Sequence, residues 1–139
     1  MRFMILLKAD QHSEAGIQPS AEMLGKMMKY NEELVKAGVL VDGQGLQASS
    51  KGARVLFRGD QRIVTDGPFA ETKELIAGFW IFEVKSKQDA IDWVKRCPSP
   101  LLGDAEIEIR QLYEAGDFEN ATPEMMAREE ELRAQSVTR

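Results

Sequence analysis

The 139-residue sequence has very few of the residues that build metal centres and disulfide frameworks. It contains one cysteine and one histidine, which excludes an intramolecular disulfide and any site made of several cysteines or histidines. The longest apolar run near the start, Phe3–Leu7, is far too short for a signal-peptide core or a membrane span. These absences predict a cytoplasmic protein that uses neither a metal nor another cofactor.

The charge balance excludes another class of function. With 18 basic and 23 acidic residues the net charge is −5, so direct binding to nucleic acid is not expected. Hydrophobic residues make up 43% of the chain and charged residues 29%, values that are ordinary for a globular domain. Most of the net negative charge lies in Glu114–Arg139, because this segment has seven acidic and only three basic side chains.

The first third of the chain predicts a strand followed by a helix. Arg2–Leu7 is expected to be a strand, and Lys8–Gln18 a polar loop. Both faces of this strand are apolar, with Phe3, Ile5 and Leu7 on one side and Met4 and Leu6 on the other. Ser20 then caps a helix that ends near Gly38. Its apolar residues recur at helical spacing: Met23, Leu24, Met27, Met28, Leu34 and Val35.

The remainder of the chain predicts a hairpin and a second strand–helix–strand unit. The expected elements are a strand over Val39–Gln47 with a bulge or bend near Asp42-Gly43, a hairpin from Arg54–Arg58 and Arg62–Thr65, a strand over Ala77–Lys85, a helix beginning at Ser86, and a strand over Ala105–Tyr113. This order favours a ferredoxin-like α+β fold with both helices on one face of the sheet.

Two features extend this prediction beyond a single sheet. The strands Arg2–Leu7 and Ala77–Lys85 are apolar on both faces, which favours a homodimer that covers the free side of the sheet. The domain is expected to span residues 1–113, followed by a C-terminal extension over 114–139. In that extension a helix is predicted from Pro123 to about Gln135, with Met125, Met126 and Leu132 as its apolar anchors.

The ten residues Thr65–Glu74 carry a family signature. Asp66-Gly67-Pro68-Phe69, followed by Ala-Glu-Thr-Lys-Glu, resembles the DGPF branch of the YCII-related family. The resemblance covers nearly the whole domain, through Ser13–Gly16, Asn31–Leu34, Ala37–Val39, Asp42–Leu46, Gly78–Trp80 and Trp93–Pro98. It implies a dimeric α+β barrel. It also allows an association with an extracytoplasmic-function sigma factor, which some family members are linked to.

Three residues are candidates for acid–base chemistry. Asp66 is the first, because Gly67 and Pro68 fix the turn that holds its carboxylate; the alternative is that this carboxylate only accepts hydrogen bonds from its own turn. Glu22 lies at the helix start, where shorter relatives of the family carry a histidine, and the alternative role is to stabilise the helix dipole. His12 is the third, as a general base, and the alternative is that it is a solvent-exposed bystander.

Ligand contacts are predicted for Phe79, Trp80 and Lys73. The two aromatic residues are expected to line a pocket or to belong to the core, and Lys73 to neutralise an anionic ligand or form a surface ion pair. Two hypotheses therefore remain open. One is a small cofactor-free acid–base enzyme with a pocket near Asp66. The other is a non-catalytic protein that binds a small-molecule ligand or acts in regulation beside a sigma factor.

Overall fold

A computed structural model describes residues 1–99 and 103–136 of the chain. Six strands and four α-helices form one antiparallel four-stranded sheet, a separate two-stranded hairpin, and helices around them. The strands are β1 (Arg2–Lys8), β2 (Leu40–Gly45), β3 (Ala53–Arg58), β4 (Gln61–Asp66), β5 (Ile76–Glu83) and β6 (Ile107–Gln111). The helices are α1 (Gln11–Glu14), α2 (Ala21–Lys36), α3 (Lys87–Lys95) and α4 (Pro123–Gln135).

The main sheet has the strand order β2-β5-β1-β6, and every neighbouring pair is antiparallel. Strands β1 and β2 therefore run parallel to each other around β5, with α2 as their connection. Strands β5 and β6 flank β1 in the same way and are connected by α3. This is the strand order of a ferredoxin-like sheet with the β3–β4 hairpin inserted between β2 and β5, so the predicted antiparallel α+β architecture is confirmed.

Local sequence signals set the helix boundaries. The Ser20 hydroxyl accepts a hydrogen bond from the Met23 amide (3.1 Å), and Gly38 follows the helix at φ 72°, as the sequence predicted. The Ser86 hydroxyl caps α3 by accepting from the Asp89 amide (3.1 Å). One prediction was wrong: part of the expected loop forms the short helix α1, because the Asp10 side chain caps the Ser13 amide.

The core lies between the sheet and the two helices α2 and α3. Its buried side chains are Phe3, Ile5, Tyr30, Leu34, Val39, Trp80, Phe82 and Ala90. The predicted apolar face of α2 was only partly correct, because Leu24, Met28 and Val35 are more than half exposed. The side of α2 that meets the sheet carries Tyr30 and Leu34, and the Tyr30 hydroxyl donates to the Trp93 carbonyl (2.7 Å).

Neither α2 nor α3 packs on the opposite face of the sheet. Cross-strand pairing aligns Met4 with Ile81 and Leu6 with Phe79, so four apolar side chains occupy the centre of this face. Each of the four is only partly buried. We call this surface the open sheet face.

The C-terminal part of the chain begins with a bidentate ion pair. Arg2 donates two hydrogen bonds to the Glu114 carboxylate (3.0 and 2.8 Å), immediately after β6. Helix α4 has the predicted boundaries but none of its side chains is buried, so its predicted anchors Met125 and Leu132 are largely exposed. Residues 137–139 of the predicted extension lie outside the described part of the chain. None of the described helices combines the length and the apolar character that a membrane span requires.

Candidate functional site: a cavity between helix α2 and the sheet

A cavity of about 260 Å³ lies between the first half of α2 and the sheet. Its walls come from β1, the segment before α2, α2 itself, β2 and β5. The lining residues are Leu7, Pro19, Met23, Leu24, Met27, Asn31, Gly43, Gln44, Gly45, Ala77, Gly78, Phe79 and Trp80. None of these side chains is acidic, basic or a nucleophile, and the Gln44 side chain lies on the opposite face of β2, so the cavity is an apolar chamber with the amide side chain of Asn31.

Glycines on β2 and β5 make room for this cavity. Gly43 pairs with Trp80 and Gly45 pairs with Gly78, so all four positions share the face of the sheet that looks toward the helices. A Cβ at Gly43 would lie 2.9 Å from Trp80 Cδ1, and one at Gly78 would lie 3.0 Å from the Gln44 carbonyl oxygen. A Cβ at Gly45 would meet no atom within 4 Å. The missing side chain of Gly45 therefore leaves open space at the cavity wall.

The polar group of the cavity is the amide of Asn31. The Trp80 indole N–H donates to Asn31 Oδ1 (3.0 Å), and an indole nitrogen can only donate. The amide oxygen must therefore face Trp80, which leaves Nδ2 as the donor. Among the described residues Nδ2 has no hydrogen-bond acceptor. Trp80 itself is 8% exposed and is held edge-on by the Tyr30 ring, with centroids 6.1 Å apart, so this pair is rigidly placed.

The Gly67–Phe69 part of the family signature packs against Ser49. Its Phe69 amide donates to the Ser49 hydroxyl oxygen (3.1 Å), and Gly67 lies directly against the Ser49 carbonyl. The Ser49 amide (2.9 Å) and the Ser49 hydroxyl both donate to the Glu14 carboxylate. The segment after β4 is thus joined to α1 and to the turn after β2 through one partly buried serine. We call Glu14, Ser49, Gly67 and Phe69 the Ser49 cluster.

The structure separates the predicted acid–base residues from the cavity. Asp66 is exposed at the end of β4, and no described group donates a hydrogen bond to its carboxylate. Glu22 is exposed on α2 and pairs with Lys26 (3.4 Å), which is a helix-surface contact. Neither residue contributes to the cavity wall. Their catalytic roles stay predictions.

His12 lies on α1, next to a carboxylate. Its Nδ1 is 3.5 Å from Asp10 Oδ2, and its side chain is 53% exposed. The Asp10 carboxyl has a pKa below its ordinary value, chiefly because the Ser13 backbone amide donates to it and to a smaller degree because of His12. The structural role of Asp10 as a helix cap explains this arrangement, and His12 is outside the cavity wall.

Of the three predicted ligand contacts, two line the cavity. Trp80 forms its inner wall, and Phe79 also belongs to the lining, although strand alternation puts the Phe79 side chain on the opposite face of β5. Lys73 is exposed on the short 3-10 turn Thr72–Glu74 and does not reach the cavity. No salt bridge to Lys73 is present within residues 1–99 and 103–136.

Two other ionisable groups, Cys97 and Tyr30, have structural roles. Burial raises the pKa of the Cys97 thiol to about 11, so it is protonated at neutral pH. Burial also raises the pKa of Tyr30, whose hydroxyl is a hydrogen-bond donor in the core. In the described part of the chain no three His, Cys, Asp or Glu side chains group as metal ligands would.

Sequence reasoning missed Asn31, Gly45, Glu14 and Ser49. Three of the four lie in segments that carry the family resemblance: Ser13–Gly16, Asn31–Leu34 and Asp42–Leu46. Those segments were a usable signal, because they match the pattern of the family. Ser49 had no such signal, because its role appears only when the chain brings it against Glu14 and Phe69.

Comparison with known proteins decides the family. The model of the YCII-related domain matches residues 1–116. The chain belongs to the YCII-related family. An uncharacterised protein of Rhizobium meliloti (strain 1021) is 33% identical over 86 residues, which cover 60% of this chain and 69% of that protein. The predicted family resemblance is therefore confirmed, while assignment to the DGPF branch stays a prediction.

One solved structure is similar at the level of the fold. It is the 5-chloro-2-hydroxyhydroquinone dehydrochlorinase TftG of Burkholderia phenoliruptrix AC1100, in complex with 2,5-dihydroxybenzoquinone. The two chains are 17% identical, with a TM-score of 0.49 over 84% of this chain and 98% of that one. A similarity of this size carries no inference about the reaction or the ligand of this YCII-related protein.

Proposed function

We propose that this YCII-related protein binds a small, mostly apolar molecule in the cavity beneath α2. The observation that carries the proposal is the combination of an apolar lining with one hydrogen-bond donor, Asn31 Nδ2, that has no acceptor among the described residues. Because the lining contains no acid, base or nucleophile, it supports binding without catalysis better than it supports acid–base chemistry.

The cavity limits the size and chemistry of the ligand. Its volume of about 260 Å³ is below that of most drug-sized pockets, whereas an apolar cavity of about 150 Å³ accommodates benzene. A molecule of about one ring with an acceptor oxygen or nitrogen at its edge fits both the space and the Asn31 donor. Such a molecule would stack against Trp80 and the methionine side chains of α2.

The test is a thermal-shift and calorimetric screen of single-ring compounds, in pairs that differ only by an acceptor atom. We expect binding to raise the melting temperature, with the acceptor-bearing member of a pair binding more tightly. Gly45→Leu should abolish the shift, because the new side chain enters the open space at the cavity wall. The matched control is Gly25→Leu, which adds the same side chain in open space on α2.

A second variant isolates the hydrogen bond. Asn31→Asp keeps an acceptor for the Trp80 indole but removes the Nδ2 donor. In the wild type we expect the acceptor-bearing member of a pair to bind roughly tenfold more tightly, which corresponds to about 1.4 kcal/mol. This difference in affinity should disappear in Asn31→Asp. If Gly45→Leu and Gly25→Leu bind the same ligands equally well, the cavity is not the binding site.

We also propose that the protein is a homodimer that buries the open sheet face. Met4, Leu6, Phe79 and Ile81 form an apolar centre there, and polar residues border it on both edge strands: Asp42 and Gln44 on β2, Glu108 and Arg110 on β6. An apolar centre with a polar rim is typical of protein interfaces. A second sheet packed on this face would give the two-sheet arrangement that the family resemblance implies.

Light scattering tests the dimer directly. The wild-type chain should have about twice the 15.6 kDa mass of one chain at micromolar concentration. Leu6→Lys should give monomers, because it places a charge at the centre of the open sheet face. Val35→Lys is the control, since Val35 is 61% exposed on α2 and lies away from that face. A soluble wild-type monomer would refute the dimer. Association with a sigma factor stays a prediction that rests on the family resemblance alone.

A further inference from the structure

The β3–β4 hairpin carries several highly exposed apolar side chains. No residue of either strand is buried. Cross-strand pairing places Val55 beside Val64 and Phe57 beside Arg62 on one face, and Leu56 beside Ile63 on the other. A two-stranded hairpin in water is marginally stable by itself, and exposed apolar strands invite pairing with another surface.

One of these two faces points away from the domain. Arg54 shares a face with Leu56, and its guanidinium stacks on the Phe69 ring at 3.9 Å, so that face lies toward the Ser49 cluster. The other face is therefore the outward one. Its apolar side chains are highly exposed: Val55 53%, Val64 64% and Phe57 71%. We call Val55, Phe57, Arg62 and Val64 the outward hairpin face.

Helix α4 is the second element with exposed apolar side chains, although its Met126 is partly buried. It buries no side chain, and Met125 and Leu132 are 60% and 47% exposed. These two residues are seven positions apart, which is two helical turns, so they lie on the same side of α4. A 13-residue helix is marginal in water without tertiary contacts. A surface that packs on this side of α4 would therefore stabilise the helix.

The hairpin and α4 have opposite charge. The residues from Lys51 to Asp66 include four basic and two acidic side chains, whereas α4 has four acidic and two basic ones. Two of the α4 acids already pair with its own arginines, Glu131 with Arg128 and Glu129 with Arg133. The other two, Glu124 and Glu130, form no salt bridge among the described residues. Two hairpins would repel each other, while a hairpin and an α4 attract.

Within one chain, the hairpin and α4 extend from opposite ends of the main sheet. The hairpin is inserted between the end of β2 and the start of β5, where Gly45 pairs with Gly78. Helix α4 follows the opposite end of the strands, where Arg2 pairs with Glu83 and binds Glu114. The eight residues of β5 separate these ends by about 25 Å. A second copy is therefore needed to bring a hairpin against an α4.

We propose that the outward hairpin face of one protomer packs on the Met125–Leu132 side of α4 of a second copy. The proposal rests on the proposed homodimer, because two sheets related by a two-fold axis that runs across the strands place each end of one sheet over the opposite end of the other. In that arrangement each hairpin meets the α4 helix of the other protomer. The same contact occurs twice, as two-fold symmetry requires.

Cysteine cross-linking between differently tagged chains tests this contact. One chain carries Phe57→Cys and the other Leu132→Cys, both with Cys97→Ser, and the two are co-expressed and mildly oxidised. We expect a disulfide between unlike chains as the main product. The control mixture replaces Leu132→Cys by Val35→Cys, on a surface that the proposal leaves free, and should give at least tenfold less cross-link.

The alternatives give distinct results. A dimer by light scattering without the Phe57–Leu132 cross-link would overturn this contact and leave the proposed dimer standing. A main product linking two Phe57→Cys chains would show that hairpins pair with each other, and would also overturn it. A monomer would overturn both proposals.

Hydrogen exchange gives a second readout that needs no cysteine. Leu132→Asp should accelerate amide exchange in β3 and β4 at least tenfold, because the hairpin loses its cover. Met28→Asp, at a residue that is 63% exposed on α2 and outside the cavity lining, should leave exchange in the hairpin unchanged. Equal exchange in the wild type and Leu132→Asp would contradict the contact.

Discussion

Substituting Gly67 by alanine should disrupt the Ser49 cluster. An alanine Cβ at this position would lie 1.7 Å from the Ser49 carbonyl oxygen and 2.6 Å from its carbonyl carbon. Both atoms belong to the main chain, so no side-chain rotation can relieve the overlap. The two segments would have to separate by about 1.5–2 Å to restore an ordinary contact distance.

The expected cost follows from the hydrogen bonds that this movement breaks. The Gly67 amide donates to the Gly52 carbonyl (3.0 Å), and the Phe69 amide donates to the Ser49 hydroxyl oxygen (3.1 Å). Moving Ser49 also disturbs its pair of hydrogen bonds to Glu14. Losing the Gly67 and Phe69 hydrogen bonds and one of the two to Glu14, at about 1 kcal/mol each, less about 0.7 kcal/mol gained from a stiffer unfolded chain, leaves about 2 kcal/mol of destabilisation.

Urea unfolding of Gly67→Ala measures this loss, with Gly52→Ala as the matched control. A Cβ at Gly52 would lie 3.5 Å from the same Ser49 carbonyl oxygen, which is an ordinary contact, and the backbone of Gly52 is extended. The control should therefore unfold within about 0.5 kcal/mol of the wild type. Equal stability of the two variants would refute the close approach of Gly67 to Ser49 and, with it, the clamping role of this segment.

Four further outcomes are expected. Asp66→Asn should change the free energy of unfolding by less than about 0.5 kcal/mol, because the carboxylate is exposed and accepts no hydrogen bond from a described group. If this variant keeps its stability but loses the ligand response, Asp66 is functional. Cys97, with a pKa of about 11, should react with a thiol reagent at pH 8 roughly a hundredfold more slowly in the folded than in the unfolded chain. Arg2 lowers the pKa of Glu114 in the folded state, so this carboxylate stabilises the fold when it is charged. The stabilisation that Glu114→Gln removes should be present above about pH 5 and should vanish as the pH falls through the folded pKa. Its size should be no more than about 1 kcal/mol. Deleting Phe118–Arg139 should leave a cooperative urea transition and a dimer, because α4 contributes no buried side chain; a broad transition would place α4 in the main core.

The sequence by itself determined the elements whose signals are local. Capping by Ser20 and the turn at Gly38 set the ends of α2, and short unbroken apolar runs marked β1 and β5. Because these runs are apolar on both faces of the strand, they predicted an apolar open sheet face. Each of these signals acts within a few residues of the chain, so it can be interpreted without knowing where the rest of the protein lies.

Only the tertiary structure decided which of two adjoining apolar stripes on α2 faces the sheet. The stripe with Tyr30 and Leu34 is buried, while Leu24, Met28 and Val35 are exposed. Both stripes have helical spacing, so helical periodicity cannot distinguish them. The choice depends on where the sheet meets the helix, which is a long-range property.

The cavity and the Ser49 cluster were decided in the same way. Gly45 leaves open space at the cavity wall, and Gly78 allows the close approach of the Gln44 carbonyl, only because the register of β2 and β5 sets the two glycines side by side. The roles of Glu14 and Phe69 depend on contacts to Ser49 across 35 and 20 positions of sequence, respectively. Sequence identifies residues such as these as glycine, glutamate or serine, but their function comes from strand register and loop closure, which bring distant segments within hydrogen-bonding distance.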